Sequence, residues 1–288
     1  MLTDLSKSSS LECKVCSTKP LNSLHFGTVE WGLCSHCLFL QRLSIPEDHS
    51  HLMLTEYDWG TRSTTFSDEK YPQEVSEKEK RWNMLQSLFP FTLHKPILDF
   101  GSGTGPFLDV LKQKNIPALG VEIDPVNSEY SRQRGHKVFT GDFLEMNFGV
   151  ESISMVNMEN SFFYVQKPAA FLEKMHRILE PEGILFWSER DYHRNARNVF
   201  INLSRGLQVS YLSKNAIRNL LVLHGFELIY YSNWFGNFTL IAKKTKEKQS
   251  MTGSYLLEFA ILKTIKWNDW IWKSLHDTLV TVNSLFRR

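Results

Sequence analysis

Cysteine is scarce in this chain. Of 288 residues only four are cysteine, and all lie between positions 13 and 37. A secreted scaffold stapled by disulfides would spread its bridges along the chain, so that class is excluded. Long apolar runs are also missing. The longest stretch without a charged residue, Leu228 to Ala242, is too short to span a bilayer as a helix and contains Ser232, Asn233, Gly236 and Asn237. Met1 to Lys14 is polar and holds no apolar segment of the secretory kind. These absences lead to the expectation of a cytoplasmic protein. An excess of one charge is lacking as well, since 33 Lys and Arg stand against 31 Asp and Glu. Nucleic acid is therefore not the expected partner. What remains is ordinary globular usage, 42% hydrophobic and 22% charged, which argues against wholesale disorder.

The four cysteines form two C-x2-C pairs, Cys13 with Cys16 and Cys34 with Cys37. Two thiolates on one tight turn grip a metal ion, and a second such turn completes a tetrahedral site. Zn2+ suits four soft ligands and no redox chemistry. A closed site has no open coordination position, so the zinc is expected to be structural. His36 lies inside the second pair and is expected to face solvent. Leu21, Leu24, Phe26, Trp31, Leu38, Phe39 and Leu40 would form a small ribbon core of their own.

Residues 67 to 93 read as a charged helix with Trp82, Met84, Leu85 and Leu88 on its inner face, ended by Pro90. A buried strand then leads into Gly101-Ser102-Gly103-Thr104-Gly105, and a helical run follows from Pro106 to Lys114. That order opens a nucleotide-binding α/β unit, because a helix N-terminus offers free N–H groups and glycines allow close approach. A dinucleotide fingerprint would need glycine at 106, where this chain has proline. The sequence reads D-x-G-x-G-x-G instead, led by Asp99.

Further strands are read at Pro117 to Glu122, His136 to Phe139, Ile153 to Asn157 and Ile184 to Trp187. Between the last two lie a helix from Ala169 to Leu179 and a turn at Pro181-Glu182-Gly183. A helix from Tyr211 to His224 and a hairpin, Phe226 to Tyr231 with Phe238 to Ala242, close the series. The alternation predicts an α/β fold with a doubly wound, mostly parallel sheet.

The segment ILDFGSGTG, residues 97–105, and FLEKMHRILEPEGILFW, residues 171–187, resemble class I S-adenosylmethionine-dependent methyltransferases. The resemblance covers about 95 to 244. It implies seven strands with the last antiparallel, and S-adenosyl-L-methionine as cofactor. Asp99, Gly101, Ser102, Gly103, Thr104 and Gly105 would hold the amino acid part of the cofactor. Glu122 would accept from the ribose hydroxyls and Ile123 would lie against the adenine. Asp142, beside Phe143, would accept from the adenine amino group, and Asn157 ends the fourth strand at the same site. With the ribbon in front, the chain is similar to the sugar C-methyltransferases, although it is too short to carry their extra C-terminal domain.

Methyl transfer to oxygen or carbon also needs a proton removed. Relatives often carry a Glu-His pair after the fourth strand, and Phe163 and Tyr164 stand in its place here. Tyr164, His193 and Glu159 are the candidate catalytic residues. No P-P-[YFW] segment of the adenine amino-methyltransferases follows the fourth strand. The expected acceptor is a small molecule, such as a nucleotide sugar or glycan intermediate. An RNA methyltransferase and a noncatalytic cofactor-binding subunit are the alternatives.

Residues 243 to 288 carry nine Lys or Arg against four acids. Ile271, Leu275, Leu279, Val282 and Phe286 fall at helical spacing after Trp267, Trp270 and Trp272. Such a basic helix can lie on an anionic membrane surface or pack on the domain or a homodimer partner. The division expected is a zinc ribbon over 1–45, a linker and helix over 46–94, a methyltransferase domain over 95–245 and a helical basic tail over 246–288.

Overall fold

The computed structural model describes residues 11–19, 21–46, 70–190, 203–206, 208–234, 237–246, 250–251, 253–254 and 256. His193 and the expected helix of the tail lie outside the described residues. The chain forms two compact units. The first joins Met1–Ile45, Asp191–Leu220 and Ser250–Arg288; the second joins Pro46–Arg190 and Leu221–Gln249. Among the described residues no helix is long and apolar enough to cross a membrane.

The first unit begins with strands β1 (Asn22–Phe26), β2 (Val29–Leu33) and β3 (Leu40–Arg42) in an antiparallel meander. Leu24 and Phe26, and Trp31 and Leu33, are buried as alternation on a one-sided sheet requires, and Phe39 and Leu40 are both buried as well. The ribbon does not have a core of its own. Residues 203–206 and 208–212 return to it, and Ser210 and Tyr211 add a fourth strand beside β3, with Leu40 opposite Tyr211. The Arg42 N–H donates to the Val209 carbonyl at 2.9 Å. The Trp31 indole donates to the Leu203 carbonyl at 3.1 Å, and its ring meets Tyr211 edge-on at 5.5 Å.

Tyr211 is therefore strand, not the start of a helix. The helix begins three residues later, at Lys214, because the Ser213 hydroxyl caps it by accepting from the Ala216 N–H at 3.1 Å. This return was not visible in sequence because it joins segments far apart in the chain. It draws into the first unit a stretch that the sequence reading placed inside the 95–245 domain.

The second unit is a seven-stranded doubly wound sheet. Its helices and strands in chain order are α1 (Tyr71–Leu88), β4 (Ile97–Phe100), α2 (Pro106–Gln113), β5 (Ala118–Glu122), α3 (Pro125–Gln133), β6 (Val138–Thr140), β7 (Ile153–Glu159), α4 (Pro168–Ile178) and β8 (Leu179–Arg190). With β9 as the ribbon strand Ser210–Tyr211 and α5 as Lys214–Leu223, the series ends in β10 (Phe226–Trp234) and β11 (Asn237–Lys244). The order across the sheet is β10-β11-β8-β7-β4-β5-β6. β6, β5, β4, β7 and β8 run parallel; β11 pairs antiparallel with β8, and β10 with β11.

Trp82 and Leu85 of α1 pack with Phe107, Val110 and Leu111 of α2 over Ile97, Met155 and Phe186. Leu88, expected on that inner face, is exposed, and Phe89 packs against the cluster instead. The expected turn at Pro181 to Gly183 survives as a bulge inside β8, where Glu182 takes φ +64° and the register with β7 shifts.

Candidate functional site

Strand order reverses between β4 and β7, and open α/β sheets bind ligands outside the carboxyl ends of the strands at such a point. β4 ends there in the glycine turn, with Gly101, Gly103 and Gly105 all at positive φ. Two of these glycines serve packing. A Cβ on Gly101 would come within 2.2 Å of the Ser161 hydroxyl, and one on Gly105 within 2.4 Å of the Ser131 hydroxyl. Gly103 is different, since a Cβ there would meet nothing within 4 Å. Its open side has room to cradle a ligand.

The acids and amides that the sequence picked out gather around this turn. Asp99 is buried, and the Asn157 amide donates to it at 2.6 Å. Burial pushes the Asp99 carboxyl up to about 7. The side-chain oxygen of Asn157 and the hydroxyl of Ser102 are buried without a partner among the described residues. Thr104 is buried too, and its carbonyl lies 3.4 Å from the Tyr71 hydroxyl at the start of α1.

Glu122, at the end of β5, accepts from the Gly103 N–H at 2.7 Å and from the Asp124 N–H at 2.9 Å. Burial raises its pKa against those hydrogen bonds. A carboxylate with two oxygens still has lone pairs left for a ligand. Ile123 beside it is 50% exposed, an apolar surface in want of a flat cover. Asp142 accepts from the Leu144 N–H at 2.8 Å and opens a short 3-10 turn, Phe143–Glu145. Phe143 is buried against Phe100 and Phe171. The buried Lys174 ammonium donates to the carbonyls of Phe143, Leu144 and Met146 and so caps that turn. Asp99 and Asn157 are thus bonded to each other and Glu122 to Gly103 at the glycine turn, and the orphaned oxygens of Ser102 and Asn157 with the bare side of Gly103 fit a polar ligand there.

The candidate catalytic residues are placed unequally. Glu159 ends β7 almost wholly buried, paired with Lys78 at 2.9 Å and with Arg81, both on α1. Burial alone would raise its pKa, but the two cations outweigh burial and hold it below the usual carboxylate value. A carboxylate so held is a weak base. Tyr164 is half-buried at the end of a second 3-10 turn, Phe162–Tyr164, while Phe163 is buried in the core.

Sequence reasoning missed two contributors, Lys78 and Arg81, while Glu189 stands near the end of its strand, where the sequence already points to ligands. Lys78 and Arg81 carry no motif, and only their spacing on one helix face hinted at a shared target. Glu189, at the end of β8, is fully buried and accepts from the N–H groups of Ser161 at 2.9 Å and Phe162 at 2.7 Å.

In the first unit the four cysteine sulfurs all lie within 4.8 Å of one another. Cys13 and Cys37 are 3.5 Å apart, and Cys16 and Cys34 are 3.6 Å apart. Disulfides would need about 2.05 Å, whereas a tetrahedron of sulfurs around zinc has edges of about 3.8 Å. The cluster could hold zinc. His36 is exposed and stands outside it. Gln41, buried, bonds the backbone of Lys14 and Glu12 and fixes the first cysteine turn.

Residues 98–187 match a family model described as a methyltransferase domain. The chain carries a class I S-adenosylmethionine-dependent methyltransferase domain and is a methyltransferase. No curated protein matches the sequence closely enough to count as a relative. Solved structures share the fold at low identity. A Pyrococcus horikoshii protein is 15% identical with a TM-score of 0.55, covering 66% of this chain and 99% of its own. The geranyl diphosphate C-methyltransferase of Streptomyces coelicolor is 10% identical with a TM-score of 0.52, covering 69% and 97%. A chain from the Haloferax volcanii complex of the Trm112 methyltransferase activator is 16% identical with a TM-score of 0.51, covering 64% and 97%.

Proposed function

We propose that this methyltransferase moves the methyl group of S-adenosylmethionine to a small-molecule acceptor, with a nucleotide sugar or glycan intermediate as the leading class. The observation that carries the cofactor part is the bare side of Gly103, flanked by Asp99 and Glu122. Asp99, Ser102 and Asn157 would hold the amino acid part of the cofactor. Glu122 would take the ribose hydroxyls with its remaining lone pairs, Ile123 would cover one face of the adenine, and Asp142 would receive the adenine amino group. When bound, S-adenosylmethionine supplies a methyl group on a sulfonium leaving group, so the protein's task is mainly orientation.

Tyr164 is the residue proposed to orient the acceptor, because the Phe162–Tyr164 turn directly follows β7 at the switch point. Glu159 is assigned an anchoring role instead, tying α1 to β7 through Lys78 and Arg81. His193 stays a candidate base on its position after β8. The four cysteines are proposed to bind one structural zinc ion. Support for a small acceptor comes from the near balance of charge and from the ribbon that precedes the domain, which resembles the sugar C-methyltransferases. A protein of similar fold also methylates carbon in geranyl diphosphate.

Calorimetry of the zinc-loaded protein with S-adenosylhomocysteine tests this reading. Binding in the micromolar range is expected. Absence of any heat with ligand at millimolar concentration would overturn it.

A further inference from the structure

Ser161 lies where two parts of the site meet. Its hydroxyl donates to the Glu159 carbonyl at 2.8 Å and sits 3.4 Å from the Phe100 carbonyl. The same hydroxyl is the atom that a side chain on Gly101 would strike. The turn that opens at Ser161 therefore packs directly on the first glycine of the cofactor cradle. Such a turn begins with backbone N–H groups that have no partner inside it. Glu189 supplies that partner from the neighbouring strand. One of its oxygens, Oε1, accepts from the N–H of Ser161 at 2.9 Å, from the N–H of Phe162 at 2.7 Å and from the Trp187 indole at 3.3 Å. The other, Oε2, is buried and has no partner among the described residues.

We infer that Glu189 is a positioning residue for the cofactor: by gathering three N–H groups on one oxygen it seats Ser161 against Gly101 and so fixes the shape of the glycine turn. The inference rests on the reading of that turn as the S-adenosylmethionine site. Its charge state supports it. Burial, with Glu159 nearby, pushes the Glu189 carboxyl up to about 8. The cations of α1, Lys78 and Arg81, are committed to Glu159, and the β11 residues beside it, Phe238 and Thr239, carry no charge. Near neutral pH Glu189 is thus a neutral acid, which glutamine imitates in shape and hydrogen bonding. Above pH 8 it becomes a buried ion: its hydrogen bonds from Ser161, Phe162 and Trp187 strengthen, while its burial costs stability, so the turn changes state with its charge. Asp99, near 7, and Glu122 also titrate close by, so only a comparison with the glutamine variant isolates Glu189.

The test measures S-adenosylhomocysteine affinity from pH 6.5 to 9.5 for the wild type, Glu189→Gln and Glu189→Ala. The backbone amide resonances of Ser161 and Phe162 are followed in parallel. Glu189→Gln should bind within about threefold of the wild type at pH 7, and Glu189→Ala about tenfold or more weakly. Above pH 8 the affinity of the wild type should diverge from that of Glu189→Gln, which cannot ionise. Its two amides should shift with a midpoint near pH 8, a shift absent in the glutamine variant. Wild-type affinity in Glu189→Ala with both amides unmoved would overturn the inference. So would the same pH course in the wild type and Glu189→Gln, which decides alone if the alanine variant does not fold. If the wild type fails to bind S-adenosylhomocysteine, the cofactor reading falls. The amide shift then still separates a Glu189 that holds the turn from one that does not.

Discussion

On the proposed reading, Asp99 is a residue placed for a ligand at the expense of the ligand-free protein. Burial lifts its pKa to about 7, above that of an aspartate in the unfolded chain. A raised carboxyl favours the folded state only while it is protonated. That contribution is complete below about pH 4 and is lost as pH rises through about 7. Asp99→Asn, which cannot ionise, should therefore raise the melting temperature of the ligand-free protein more at pH 8 than at pH 5, while weakening S-adenosylhomocysteine. Equal shifts at the two pH values would show that the charge is not the cause. Glu122→Ala should weaken the same ligand by about 1–3 kcal/mol, because a charged acceptor is lost; calorimetry with an unchanged affinity would remove Glu122 from the site. The glycines separate packing from binding. Gly101→Ala puts a methyl within 2.2 Å of Ser161 and should lower both stability and affinity. Gly103→Ala has open space and only the strain of φ +55°, worth about 1–2 kcal/mol. It should melt closer to the wild type than Gly101→Ala does, yet bind the ligand poorly.

At the scale of elements, the strand, glycine turn and helix at 97–113 were legible because local chemistry decides them. Glycine supplies the positive φ, and Pro106 opens the helix at a position where its missing N–H costs nothing. The hairpin of β10 and β11 was legible for the same reason. The ribbon's fourth strand was not. Ser210 and Tyr211 have an apolar helix pattern just after them, and nothing local says that Tyr211 will pair with Leu40. The Lys78 and Arg81 pair on Glu159 and the Glu189 seat for Ser161 were hidden likewise, since each joins elements through space. The fourth strand changes what metal removal should do. With a self-contained ribbon, chelation would melt residues 13–42 alone. With β9 paired to β3, loss of zinc should also expose residues 203–206 and 208–212, while β4, β5 and β7 stay protected. Hydrogen exchange before and after chelation measures this, and continued protection at Tyr211 would contradict it. Cys34→Ser should lose bound zinc on metal analysis and reproduce the same pattern.

For the whole molecule, the arrangement matters because the first unit is assembled from three separate pieces of chain. Removing residues 1–45 should not yield a clean methyltransferase domain. Leu203, Val209, Tyr211 and Leu212 are buried, and this stretch pairs with β3 and packs on Trp31. The truncated protein should aggregate; a soluble monomer with wild-type melting would refute the dependence. The pairing of β3 with β9 also puts a clock on the thiols. Cys13 to Cys37 leave the ribosome before Tyr211, and their β-sheet cannot be completed until Tyr211 has been made. At roughly 5–20 residues per second, the intervening chain takes about 10–30 s to synthesise. During that interval the metal-binding turns are exposed to whatever oxidant the surroundings contain. On the proposed zinc assignment, maturation of this protein is a race between zinc delivery and thiol oxidation, and a cell short of zinc or under peroxide stress would lose it at birth rather than in service.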